Sequence, residues 1–190
     1  MTVPVPEPGA QLDDESLIAA WRASGDEAAA AELVRRHTQS VARFLAGAGA
    51  GEDVEDLVQE AFFRAFRKIE TWRGGASFRT WVMTIGANAL KDLRRRTQRR
   101  TVLSLEERDA PDTRHDPEGE AVAGDQGARL AAAVVRLPPM QRDVFLLRAQ
   151  QERPYQEIAA ALDTTEGAAR VHYHHAVRRL KQAMEGGHHA

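Results

Sequence analysis

Apolar residues recur at helical spacing from Leu12 onward, and the breaks between them divide the chain into helices. Leu17, Ile18, Ala20 and Trp21 predict a first helix. Ser24-Gly25-Asp26 interrupts it, and Asp26 is placed to cap a second, with Ala31, Leu33, Val34, Val41, Phe44 and Leu45 inward. Gly47, Gly49 and Gly51 mark a loop. Residues 52–72 form a third helix whose wide apolar face carries Leu57, Val58, Ala61, Phe62, Ala65, Phe66 and Ile69. Gly74-Gly75 opens a turn and Ser77 can cap a fourth helix, with Phe78, Trp81, Val82, Ile85, Ala89 and Leu93 buried. The pattern lapses over 104–125 and then resumes. Helices follow over 128–137, ended by Pro138-Pro139, and over 142–150. Another covers 155–162, with Pro154 at its first position, and a last one covers 166–184, capped by Thr165. Asp163-Thr164 joins the last two so tightly that they read as a helix-turn-helix. The stripe Ala169, Tyr173, Ala176, Val177, Leu180 and Met184 turns inward.

This predicts an all-α fold of two helical domains on a flexible acidic linker, the C-terminal one a helix-turn-helix. The expected divisions are a disordered leader over 1–11, a first domain over 12–101, a linker over 102–127, a second domain over 128–185 and a tail over 186–190. Charge sharpens these boundaries. Between Ser104 and Asp125 eight acids stand against two bases, with Pro111 and Pro117 among them, a composition that cannot bury a core. The net charge of −2 over 190 residues hides such blocks. No apolar run reaches the length of a membrane span. The N-terminus has neither the basic start nor the apolar centre of a signal peptide. The absence of cysteine fits a reducing cytoplasm and removes thiolate metal sites and thiol nucleophiles.

Three stretches carry candidate chemistry. From Lys91 to Arg100 six bases, including Arg94, Arg95 and Arg96, face a single acid, Asp92, which suits a phosphate backbone. The aromatics Trp72, Phe78 and Trp81 just upstream offer flat surfaces for unpaired bases. Asn88 lies in mid-helix, where asparagine is mildly unfavourable, one turn before the basic cluster, and suggests a base contact. The third helix runs from acidic first turns to basic last turns. That order complements the helix dipole without any partner, but it also leaves Asp56, Gln59, Glu60 and Arg64 on a polar face suited to a protein surface. On the last helix Arg170, Val171, His174, His175, Arg178 and Arg179 point away from the apolar stripe. Arg170 and the histidines are placed to reach base edges, and Arg178 and Arg179 to reach phosphates.

The succession DVEDLVQEAFFRAF, GGASFRTWVMTIGANALKDLRRR, an acidic linker, LPPMQRDVFLLR, YQEIAAAL and EGAARVHYHHAVRRLK resembles the extracytoplasmic-function (ECF) group of bacterial RNA polymerase sigma factors. The resemblance covers about residues 12 to 184. It implies that the helix bearing DLVQEAF docks on the clamp helices of the largest polymerase subunit. It implies a minus-ten element read as melted strand, with a flipped base held near Lys68, Trp72 and Asn88 and the backbone along Lys91, Arg94, Arg95 and Arg96. It also implies a minus-thirty-five element read as duplex by Arg170, Val171, His174, His175 and Arg178. The acidic linker would thread toward the polymerase active site, and an anti-sigma factor would be the inhibitory partner. Neither cofactor nor bond chemistry is expected. Glu152-Arg153-Pro154-Tyr155 replaces the family's usual Gly-Leu-Ser-Tyr-like entry to the helix-turn-helix. Gly167 to His172 departs from the usual Gly-Thr-Val-Lys-Ser-Arg, so no promoter sequence carries over.

Two other readings compete. A stand-alone helix-turn-helix regulator with an N-terminal sensing domain accounts for the C-terminal half but not for the stretch from Trp72 to Arg100; co-purification with core polymerase separates the two. A metal site at His172, His174 and His175 lacks a neighbouring carboxylate or cysteine to complete it.

Overall fold

The computed structural model describes residues 12–106 and 126–185. The expected leader, most of the linker and the tail lie outside them. The described residues are helical: α1 (Asp14–Ser24), α2 (Glu27–Gly47), α3 (Val54–Arg67), α4 (Phe78–Glu106), α5 (Gln126–Val135), α6 (Pro139–Phe145), α7 (Tyr155–Ala161) and α8 (Glu166–Glu185). The caps anticipated from the sequence form. Asp26 accepts from the backbone N–H groups of Ala28 and Ala29, and Thr165 Oγ1 from that of Ala168.

Three boundaries differ from expectation. α3 stops at Arg67 because Ile69–Thr71 tighten into a 3-10 turn that turns Ile69 into the core. Pro154, extended at ψ 150°, caps α7 instead of entering it. α4 continues to Glu106, past the basic cluster.

In the first lobe α2, α3 and α4 pack on one another, and α1 lies against α2. Their core includes Leu33, Val41, Phe44, Leu45, Ala61, Phe78, Val82 and Met83. Phe78 is its aromatic hub, with His37, Phe66, Trp72 and Trp81 at ring separations of 5.8 to 6.5 Å. His37 is buried on α2. Its Nε2 lies 2.7 Å from Asp14 on α1, and its Nδ1 accepts from Arg79 of α4 at 3.3 Å. One ring thus ties three helices. Burial holds His37 below its ordinary pKa although Asp14 pulls the other way.

In the second lobe α8 packs on α5, α6 and α7 around Val144, Leu146, Leu147, Ile158, Ala169, Ala176 and Leu180. The lobes touch along two seams. In one, α5 and the turn after α6 meet α2. Gly49 allows this approach: its φ is +83°, and a Cβ there would sit 2.8 Å from Val135. In the other, α7 meets the start of α4.

Candidate nucleic-acid and polymerase interfaces

α3 buries Leu57, Val58, Ala61, Phe62 and Ala65, which leaves Asp56 and Gln59 exposed and Glu60 half-buried on the opposite face. Arg64 turns toward α4. Its Nε donates to Glu60 at 2.6 Å and its Nη1 to Asp92 at 3.3 Å, so it braces α3 against α4 while remaining on the polar face. Helical spacing adds a residue absent from the predicted set. Phe63 stands one turn beyond Gln59, 58% exposed, with the Arg67 guanidinium 5.5 Å from its ring centre. An exposed aromatic inside a charged helix face makes Phe63 a candidate docking anchor. Its place outside the apolar periodicity of α3 was the signal available in the sequence.

The minus-ten candidates spread along α4. Lys68 is exposed at the end of α3. Trp72 is half-buried and held on several sides. Its indole N–H donates to Ala76 at 3.0 Å, its ring edge meets Phe78, and Arg22 lies 5.8 Å from its ring centre. Arg22 also donates to the Trp72 and Ile69 carbonyls, fixing the segment that presents the indole. Phe78 is buried in the core and cannot stack on a base, which corrects the grouping of all three aromatics as a stacking surface. Trp81 is half-buried.

Asn88 lies ten residues beyond Phe78, about 15 Å along the helix at 1.5 Å per residue. It is exposed there beside Lys91. Arg95, Arg96 and Arg99 are exposed on the same helix. Arg94 departs from the expectation. It is half-buried and donates to the carbonyls of Ala48 and Gly49 at 2.8 and 2.9 Å. Its charge is spent closing the glycine loop after α2, and the loss of hydration lowers its pKa. It is therefore a structural clamp, not a free phosphate contact.

On α8 the polar face stands clear. Arg170, Val171, His174, His175, Arg178 and Arg179 are exposed, opposite buried Ala169, Ala176 and Leu180. Arg170 is ion-paired with Glu166 and lies 5.4 Å from the Tyr155 ring centre, a stacked guanidinium set at the start of the helix. α7, the turn at Asp163 with φ 51° and α8 form the expected helix-turn-helix.

Two carboxyl groups lie where the lobes meet. Glu157 of α7 receives hydrogen bonds on Oε1 from the Ser77 N–H at 3.1 Å, the Ser77 hydroxyl at 2.6 Å and the Thr80 hydroxyl at 2.6 Å. Burial pushes its pKa up, but those bonds outweigh burial and hold it below the ordinary carboxylate range. Asp143 of α6 is the opposite case. Burial pushes its pKa up to about 6, against the pull of Arg142, Arg94 and Lys91. A raised pKa in the fold means a stabilising contribution that is complete below pH 3.8 and is lost as the pH rises through about 6. Asp143→Asn is therefore expected to match the parent near pH 4 and to exceed it by on the order of 1–2 kcal/mol at pH 7. Urea unfolding across that range checks this, and an Asn variant less stable at pH 7 refutes it.

Among the described residues, no His, Cys, Asp or Glu group is placed to hold a metal, and no helix is long and apolar enough to cross a membrane. Residues 31–100 match Sigma-70 region 2, and residues 127–180 match Sigma-70, region 4. The ECF RNA polymerase sigma factor SigE of Mycolicibacterium smegmatis is 34% identical over 178 residues, which cover 90% of this chain and 69% of that protein. The RNA polymerase sigma factor NccH of Alcaligenes xylosoxydans xylosoxydans is 32% identical over 160 residues, covering 82% and 86%. The solved structure of CnrH in complex with the cytosolic domain of CnrY superposes with a TM-score of 0.66 at 27% identity, covering 92% of this chain and 99% of that one. With both sigma regions matched in order on two helical lobes, the chain belongs to the ECF RNA polymerase sigma factors, which bind core polymerase and direct it to promoters.

Proposed function

We propose that the two lobes divide promoter recognition by the physical state of the DNA. The lobe of α5 to α8 reads the minus-thirty-five element as duplex, with α8 in the major groove, Arg170, Val171, His174 and His175 at base edges and Arg178 at phosphate. The first lobe holds the minus-ten element as melted strand, with Lys68, Trp72 and Asn88 around a flipped base and Lys91, Arg95 and Arg96 along the backbone. Asp56, Gln59 and Glu60 on α3 meet polymerase. The observation that carries this reading is the exposed, basic face of α8, with Arg170, Arg178 and Arg179 beside Val171 and two histidines, set on a helix-turn-helix and separate from the exposed arginines of α4. CnrH was solved with the cytosolic domain of another protein, and we extend that mode of control to an anti-sigma factor for this chain. The groove lined by Leu130, Phe145, Val177, Leu180 and Met184, with Lys181 and Glu185 at its margin, suits an amphipathic helix of such a partner.

The test separates opening from docking. Trp72→Ala is expected to slow promoter opening roughly tenfold, one stacked base at 1–3 kcal/mol, while closed-complex affinity stays within about twofold. Permanganate footprinting reads the first and gel shift on duplex the second. Equal losses in both assays remove Trp72 from the strand site.

A further inference from the structure

We infer that Tyr155, on the first helix of the helix-turn-helix, is a positioning residue that aligns Arg170 for a guanine and so sets the base preference at one step of the duplex. The inference rests on the reading of α8 as the helix that enters the major groove. Arg170 is the fifth residue of α8, in the N-terminal part of a recognition helix, where side chains meet base edges. Two contacts hold it. Its guanidinium carbon lies 5.4 Å from the Tyr155 ring centre, and its Nη2 donates to Glu166 one turn earlier.

The ring is itself fixed from behind. It meets Tyr173 of α8 edge to face at 6.1 Å, and Tyr173 stacks on Phe145 of α6 at 6.0 Å and 16°. A ladder of three rings thus runs from α6 through α8 to α7 and ends at Arg170. A second guanidinium, that of Arg148, lies 5.1 Å from the Tyr155 ring centre. Arg148 is half-buried and donates to the Arg153 carbonyl at 3.1 Å, which ties the ring to the turn leading into α7. The two arginines differ in what they leave for DNA. Arg148 is engaged within the lobe, whereas the Arg170 side chain is 61% exposed.

Alignment matters because of the geometry of arginine. A free arginine loses much rotamer freedom when it docks, and it singles out guanine only when two N–H groups meet O6 and N7 together. An aromatic face restrains the plane of the guanidinium without consuming an N–H, and Glu166 takes one N–H of five. The ring therefore removes part of the ordering cost before DNA arrives and leaves donors for the base. A phosphate contact needs no such alignment, because a point charge serves it. The signature of the role is lost discrimination at one base pair with general DNA affinity retained.

The test uses the full-length chain bound to core polymerase and a pool of random-sequence duplex DNA, with the retained duplexes sequenced. The parent is expected to select guanine, by about tenfold or more, at one position where Arg170→Ala does not. Tyr155→Leu is expected to lower that preference about tenfold, while the other selected positions and the affinity for the unselected pool stay within about twofold. Tyr155→Phe, which keeps the ring, is expected to select as the parent does. Circular dichroism verifies that each variant is folded. The alignment is also read without DNA. NMR relaxation of the Arg170 Nε–H in the free chain is expected to give an order parameter above the roughly 0.6 that marks a flexible group, and to fall below it in Tyr155→Leu but not in Tyr155→Phe.

A flexible Arg170 in the parent overturns the alignment. Guanine preference retained in folded Tyr155→Leu, an equal loss at every position and in the unselected pool, or the same loss in Tyr155→Phe overturns the role of the ring. If Arg170→Ala removes no position from the selected sequence, the duplex reading at Arg170 fails and the proposal falls with it. The NMR result tells that failure from a failure of the ring to hold the guanidinium.

Discussion

Phe63→Ala is expected to weaken binding to core RNA polymerase about a hundredfold, close to 3 kcal/mol, without destabilising the protein. The side chain is exposed, so its truncation leaves no cavity in the lobe. Among the described residues its ring partner is Arg67, across a solvent-exposed cation–π contact worth under about 1 kcal/mol. An exposed phenylalanine costs nothing to the folded monomer that alanine would regain in packing, and its contribution must come from a surface that covers it. Gln59 and Glu60 lie one turn before it and Arg67 one turn after it, polar neighbours at the rim of a seated aromatic. Fluorescence anisotropy of labelled chain against core enzyme reads the affinity, and thermal melting reads the stability. A loss under threefold with an unchanged melt would show that the charged residues, not the aromatic, carry the contact. A parallel fall in melting temperature would mean Phe63 is packed within the lobe.

Phe63 also shows what periodicity conveys and what it omits. Regular apolar spacing on α3 located the buried face, because burial repeats every turn and sequence records repetition. A single exposed aromatic repeats nothing. The same contrast explains Arg94. In the sequence it is one of three adjacent arginines, and only the fold shows that its guanidinium reaches the carbonyls of Ala48 and Gly49. Caps such as Asp26 and Thr165 were legible because both partners lie within three residues. The hydrogen bonds from Ser77 and Thr80 to Glu157 were not, since those residues lie across the linker and no local rule connects them. The exposed face of α8 was readable because a helix with one apolar stripe has only one other side.

Phe78→Ala is expected to cost about 3–5 kcal/mol, the largest effect of any substitution considered. The side chain is 1% exposed and touches rings on every lobe-forming helix except α1: His37 of α2, Phe66 of α3 and Trp81 of α4. Alanine would leave a cavity among rigid rings, which have few ways to collapse into it. A domain holds only about 5–15 kcal/mol in total, so the first lobe would be left near its unfolding threshold. Phe78→Leu, which refills most of the volume, should recover more than half of the loss in urea unfolding followed by circular dichroism. The comparison also calibrates Trp72→Ala. Both residues belong to one aromatic cluster, and both variants are expected to impair promoter opening. In Phe78→Ala the defect should follow the folded fraction and disappear when cold or osmolyte restores the fold. In Trp72→Ala, where the lost ring lies at the edge of the cluster, the defect should persist at full folding. Persistence in both would place Phe78 at the strand surface despite its burial, and recovery in both would leave Trp72 as no more than a packing residue.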